Sequence, residues 1–360
     1  MSFFGFYFLL ASTPEKAIFN NYLCSRRIMG VAILLLAANY SVHFFFGIRF
    51  KNTDAAILMN LATYFLCYWL FSSALTTLLD RFYITKRRLR THICLWILFS
   101  ILSGIVLLLL PKGGLQTTAM FALAAWLVIY GLFLTRRLLR AYHRVVRIFD
   151  DTHADDIGAY IEWLSTFTYW TVIFGVGCGL LTFLPDKYVF IWILSSIPFY
   201  SYLFYSYQNY LLFYEQVENA FEQDIQSEEE LLTNSGTEPE MVSEEEVPVS
   251  YTEIIEKVAN WIKTDGYVQQ GLTIKELSEI LHTNRTYLSA YIKTTYKMTF
   301  REWITGLRLE YAKNILKEHP EINIQKLAES SGFLSRSNFI KSFTEKEGCT
   351  PGKWKKANLE

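Results

Sequence analysis

The sequence predicts an all-α protein: a bundle of six membrane-spanning helices, then an all-helical domain with two helix-turn-helix units. Three observations carry this. Six apolar runs each approach the roughly 20 residues that a helix needs to cross a bilayer. A strongly acidic stretch follows them. Beyond it the apolar spacing becomes that of short amphipathic helices, and one two-helix pattern occurs twice.

The runs cover about 28–48, 55–79, 92–110, 117–135, 166–185 and 188–208, and are rich in Leu, Ile, Phe and Trp. The shorter run Phe3–Ala11 would rise only about 14 Å as a helix. It reads as an interfacial or packed segment, and without a positive flank it is a poor signal peptide. Lys and Arg crowd the N-terminal flank (Lys16, Arg26, Arg27), the second loop (Arg81, Lys86, Arg87, Arg88, Arg90) and the fourth (Arg136, Arg137, Arg140, Arg144, Arg147). The alternate loops hold only Arg49 and Lys51, Lys112 and Lys187. Positive loops stay inside, so both termini of this multi-pass chain are expected on the cytoplasmic side of an inner membrane. One anomaly is that no Lys or Arg follows the sixth run before Lys257.

Few groups inside the runs invite chemistry. His43 is the ionisable residue well inside a run, and such residues are functional candidates, although it lies near the helix end. Gly175, Gly177 and Gly179 suggest a close helix contact. Phe199–Tyr214 reads as an aromatic interface belt, with Pro198 a kink. Asp150, Asp151, His153, Asp155 and Asp156 could attract a metal but lack a ligand spacing, and such a loop is ordinarily solvated. Cys24, Cys67, Cys94, Cys178 and Cys349 form no metal-finger pattern. No catalytic residue, metal site or cofactor is therefore expected. The outward loops are too short for an extracellular sensor domain. A six-span transporter or membrane enzyme with an appended control domain is the alternative, and sparse intramembrane charge argues against it.

Net charge is zero, but it is unevenly spread. Residues 1–214 carry 17 Lys/Arg and 9 Asp/Glu, 215–256 carry 14 acidic and no basic residues, and 257–360 carry 17 basic and 11 acidic. The chain thus divides into a membrane part (1–214), an acidic flexible linker (215–250) and a mildly basic domain (251–360). A plain spacer is the simple reading of the linker. A sharper one has its acidic run competing with DNA.

In the last part, Ile254, Ile255, Val258 and Trp261 open a helix. Thr273 and Glu276 have capping-box spacing before Ile274, Leu277 and Ile280. Asn284 caps a helix with Leu288, Tyr291 and Ile292 inward. Thr299 and Glu302 start a longer helix with Trp303, Ile304, Leu307, Tyr311 and Ala312 as its stripe. Asn323 then caps a short helix, Ser331-Gly332 makes a turn, and Ser335 caps a helix with Phe339, Ile340 and Phe343. Gly348 and Thr350-Pro351 lead into a last helix at Trp354. Leu277 and Glu279 recur as Leu327 and Glu329, about 50 residues on. With one residue inserted in the turn, Asn284-Arg285-Thr286 recurs as Ser335-Arg336-Ser337. Two such units on one linking helix can place two recognition helices in successive major grooves.

This segment resembles the DNA-binding domain of the AraC/XylS transcription regulators. The resemblance rests on Leu272–Leu277, Tyr287-Leu288-Ser289, Arg308-Leu309-Glu310-Tyr311-Ala312, Leu327-Ala328, Gly332-Phe333, Phe339, Phe343 and Gly348-x-Thr350-Pro351-x-x-Trp354. It covers about a third of the chain, and the rest is similar to membrane-anchored members, not to the family's soluble sensory half. A glycine usual after the first recognition helix is Lys297 here. The resemblance implies base-facing roles for Arg285, Thr286, Ser289, Ala290, Arg336, Ser337 and Lys341. Lys293 and Arg301 are phosphate candidates, which position without specifying. The partners implied are double-stranded promoter DNA, the lipid bilayer, RNA polymerase and a homodimer, which would let two weak DNA-binding units act together.

Overall fold

The computed structural model describes residues 1–14, 16–183, 189–234 and 250–359. Among them every named element is helical, and an antiparallel bridge between His153 and Thr273 is the sole β pairing. The chain forms two compact units: Met1–Val145 with Ile161–Glu215, and Val146–Tyr160 with Gln216–Glu360.

The first unit comprises α1 (Ser2–Leu10), α2 (Asn20–Phe46), α3 (Ile48–Lys51), α4 (Thr53–Thr77), α5 (Lys86–Leu108), most of α6 (Gly114–Thr152), α7 (Glu162–Leu181) and the first part of α8 (Val189–Asn234). Five stretches are long and apolar enough to cross a membrane: Ala17–Phe46, Thr53–Thr77, Lys86–Leu108, Gly114–Thr152 and Ile157–Leu181. The sixth expected run begins at 188, outside the described residues, and continues along α8, which is not among those five. Local chemistry sets several ends. Gly47 terminates α2 at a φ of 59°, Asn52 accepts the Ala55 amide at the start of α4, and Thr85 accepts that of Arg88 at the start of α5.

The run Phe3–Ala11 is the packed helix α1. A Cβ on Gly5 would come within 2.6 Å of Leu34, and one on Gly30 within 2.9 Å of Leu9, so α1 and α2 touch through glycines. The expected glycine stripe on α7 is only partly a contact. A Cβ on Gly175 would meet the Tyr68 hydroxyl at 2.6 Å, whereas Gly177 and Gly179 face open space. Tyr68 also lies 2.9 Å from where a Cβ on Gly131 would be, so α4 inserts its ring between α6 and α7.

The aromatic run on α8 needs a further correction. Phe199, Tyr200, Leu203, Tyr207, Tyr210 and Tyr214 are buried, and Tyr205 and Leu212 are exposed. Their spacing of three and four residues is a helical core stripe, not an interface belt. Tyr207 shares a hydrogen bond with Ser25 at 2.9 Å and accepts one at its carbonyl from Tyr22 at 3.1 Å. His43 also has company: its Nε2 lies 2.9 Å from the Asn60 amide oxygen, which also accepts from Asn39 at 2.7 Å.

In the second unit, α9 (Ser250–Lys263), α10 (Ile274–Ile280), α11 (Arg285–Thr295), α12 (Phe300–Glu318), α13 (Ile324–Ser330), α14 (Arg336–Glu347) and α15 (Pro351–Leu359) surround two small cores. Ile254, Val258, Trp261, Leu277, Leu288 and Ile292 form the first with Phe300, Trp303 and Ile304. Leu309, Ala312 and Leu316 form the second with Leu327, Phe339 and Phe343. Helix α12 therefore gives its first half to one core and its second half to the other. Of the acidic flexible linker expected at 215–250, residues 215–234 continue helix α8 instead, and 235–249 lie outside the described residues.

Gly175→Val should lower the thermal stability of the detergent-solubilised protein by about 1–3 kcal/mol, the usual cost of overpacking. Gly177→Val should leave it unchanged. Equal effects in a thermal-shift assay would contradict the placement of Tyr68.

Candidate nucleic-acid interface

Each short helix pair is set by its caps. Thr273 and Glu276 complete a capping box: the Thr273 hydroxyl accepts the Glu276 amide at 3.2 Å, and Glu276 accepts the Thr273 amide at 2.9 Å. Thr299 and Glu302 form the same box at α12. Asn284, Asn323 and Ser335 cap α11, α13 and α14 through the amides of Thr286, Gln325 and Asn338. These bonds satisfy amides that a helix start leaves without partners. In the turns, His282 at a φ of 49° and Gly332 at 83° take equivalent left-handed positions. Gly332 is required twice over, because a Cβ there would also sit 2.4 Å from the Val268 carbonyl. Lys297 keeps the left-handed conformation of the glycine expected there, with a φ of 55°. The helix end survives at a local cost of about 1–2 kcal/mol.

The expected base-facing residues lie away from the cores. On α11, Arg285, Thr286, Ser289, Ala290 and Lys293 follow one helix face, opposite buried Leu288, Tyr291 and Ile292. Thr286, Ala290 and Lys293 are exposed, and Arg285 and Ser289 are partly so. On α14, Arg336, Ser337 and Lys341 are exposed and Phe339 and Phe343 are buried. Arg301, in the first turn of α12, is half-buried.

Three of these cations meet one acidic segment. Lys293 Nζ lies 2.8 Å from Asp151, Arg301 Nε 2.7 Å from Asp150, and Arg301 Nη1 3.3 Å from Asp156. Lys341 Nζ lies 3.4 Å from the other oxygen of Asp156. One carboxylate thus joins the linking helix α12 to the second helix-turn-helix unit. All these residues belong to the same compact unit. The loop expected to be solvated is instead docked, its carboxylates occupied by Arg and Lys.

A buried ion pair holds the segment. Arg308 is 1% exposed. It donates to the Tyr267 and Gln269 carbonyls at 2.8 and 2.6 Å and to Asp155 at 2.9 Å, and stacks 5.8 Å from the Phe333 ring centroid. Asp155 also accepts the Gly271 amide at 2.9 Å, and the Ala154 amide donates to the Leu272 carbonyl at 2.9 Å. Burial pushes the Asp155 carboxyl up from the ordinary carboxylate range, against the pull of Arg308 and the Gly271 amide. Sequence reasoning took Arg308 only as a motif letter. A clue was present, because Arg308 sits four residues from both Ile304 and Ala312 inside an apolar stripe. A charge there needs a partner.

Two helix-turn-helix units sharing one linking helix make the C-terminal part an AraC-type DNA-binding domain. Residues 277–357 match the family model described as a helix-turn-helix domain. The chain is 33% identical over 87 residues to an uncharacterized HTH-type transcriptional regulator, YtdP, of Bacillus subtilis, covering 24% of this chain and 11% of that protein. It is 38% identical over 86 residues to another from the same organism, YobQ, covering 24% and 35%. It is 26% identical over 91 residues to the melibiose operon regulatory protein of Escherichia coli, covering 25% and 30%. The chain thus spans about a third or less of the length of these relatives.

Asp155→Ala leaves Arg308 buried without its carboxylate, a loss of about 3–5 kcal/mol. Hydrogen exchange on the full-length protein should show faster exchange of the α12 amides by that margin. Unchanged protection would refute a stabilising role for the pair.

Proposed function

We propose that the chain is a membrane-bound, sequence-specific transcription regulator: its apolar helices hold it in the inner membrane, and its C-terminal domain binds promoter DNA. The observation that carries this reading is the paired helix-turn-helix geometry, with two recognition faces bearing Arg285 and Arg336 outside the cores. The relatives' names, HTH-type and operon regulators, agree with it.

The chain's own continuity supports the topology. Val146–Tyr160, which runs from the end of the fourth apolar stretch into the start of the fifth, shares a compact unit with the C-terminal domain. On this reading both lie on one side of the membrane. If α7 crosses outward, another crossing must return the chain, and α8 lies where that crossing is needed. This parity favours six spans, and the Arg-rich fourth loop favours the cytoplasm as their shared side. With outward loops this short, the input is a change in or beneath the bilayer: a lipid-phase or small ligand, a membrane partner, or membrane stress. RNA polymerase and a second copy of the chain are the further partners expected.

In a cysteine-free background, Lys112→Cys should react with an impermeant maleimide on intact cells, and Arg140→Cys only after lysis. The reverse pattern would overturn the orientation.

Within the DNA interface, Arg can read guanine through two hydrogen bonds, whereas Thr286, Ser289 and Ala290 offer methyl or shape contacts. Arg336→Ala should relax sequence preference, at about 1–3 kcal/mol for the base it reads. Lys293→Ala should weaken binding to all sequences alike. Binding to a randomised duplex library tests this division of roles, and identical profiles for the two variants would defeat it.

A further inference from the structure

Asp150 and Asp151 lie in the last turn of α6, where carboxylates oppose the helix dipole and no basic residue accompanies them. Their placement is unfavourable for the helix itself. It becomes favourable through Arg301 and Lys293, and Asp156 adds the bridge from Arg301 to Lys341. These cations are the two phosphate candidates and the last base-facing candidate of the DNA interface. We propose that Asp150–Asp156 is an internal competitor for DNA, an acidic loop that covers the DNA-facing cations of both helix-turn-helix units and must leave them for DNA to bind. The proposal rests on the reading that those cations face DNA.

The contacts divide into an anchor and a cover. Asp155 is buried against Arg308 and the Gly271 amide, with the Ala154 and His153 backbone paired to Leu272 and Thr273. The cover is looser: the Lys293 and Lys341 side chains are 50% and 48% exposed. Ion pairs in that setting are individually weak, so a polyanion can displace them one by one while the anchor keeps the loop nearby. The loop is also the direct connection between α6 and α7, both parts of stretches long enough to cross a membrane. A shift of those helices would draw on the cover, which gives a signal in the bilayer a route to DNA affinity.

The test uses the full-length protein in nanodiscs and a labelled mixed-sequence duplex of about 40 base pairs, long enough for two successive grooves. The variant D150N/D151N/D156N removes the cover and keeps Asp155. Its affinity should rise about tenfold, the combined effect of releasing three cations from four individually weak pairs. Its salt dependence should steepen by up to about 1.8 in logarithmic slope, because Lys293 and Arg301 are then free to neutralise phosphates. Retained exchange protection of the Ala154 amide reports that the anchor has stayed folded. If that protection is lost, the single variant D151N, whose partner Lys293 is half exposed, takes its place and should bind about two- to threefold tighter. Unchanged affinity and slope in a folded variant would overturn the proposal. Lys293→Ala and Lys341→Ala in the D150N/D151N/D156N background separate the two failures. If they do not weaken DNA binding, the cations do not face DNA and the underlying reading fails. If they do weaken it while the asparagines change nothing, only the competitor role fails.

Discussion

The architecture of the DNA-binding unit turns on one guanidinium. Arg308 carries a charge that an arginine side chain does not lose in a protein, and it is enclosed almost completely. Such a group is tolerable only with a carboxylate and hydrogen-bond acceptors in good geometry. Tyr267 and Gln269 supply carbonyls from the connection before α10, and Phe333 supplies a ring from the second turn. The carboxylate comes from Asp155, far away in sequence. The requirement to neutralise one side chain therefore gathers the first helix-turn-helix, the second and the segment between α6 and α7.

Around that point the two units are small and depend on each other. Helices α10 and α13 have seven residues each, too short to persist alone in water. Their caps define where they start, and α12 ties their cores together. The turn at Gly332 approaches the Val268 carbonyl too closely for any side chain, which fixes how the second unit meets the first. A rigid spacing between two recognition helices follows from these contacts. The loop covering the cations is held by fewer and weaker interactions than the frame beneath it, a division of labour suited to regulation.

Much of this was legible in the sequence, for identifiable reasons. Helix starts at Thr273, Asn284, Thr299, Asn323 and Ser335 were readable because capping is local and uses few residue types. The apolar runs were readable because bilayer thickness demands length. On α8, aromatic content alone suggests an interface belt, whereas the spacing of Phe199, Leu203, Tyr207, Tyr210 and Tyr214 is that of a helical core stripe. Gly175, Gly177 and Gly179 look alike in sequence, and only the position of Tyr68 distinguishes the first. Residue type and an exposed helix face indicated Lys293, Arg301 and Lys341, but not their partners. Pairings such as Asp156 with Lys341 depend on how distant segments fold together, which no local pattern records. The occupied state of the interface was thus the part hidden from sequence reasoning.

The proposed function combines apolar helices in the bilayer with a DNA-binding unit that includes the loop joining two of them. On that reading, DNA is bound by a protein that has not left the membrane. The most direct measurement is chromatin immunoprecipitation of the full-length chain tagged at both ends, with the same cells fractionated in parallel. The account predicts enrichment of discrete promoter fragments with both tags, from cells in which the intact chain is confined to the membrane fraction. Enrichment through the C-terminal tag alone, accompanied by a soluble fragment, or no enrichment of any fragment would contradict it.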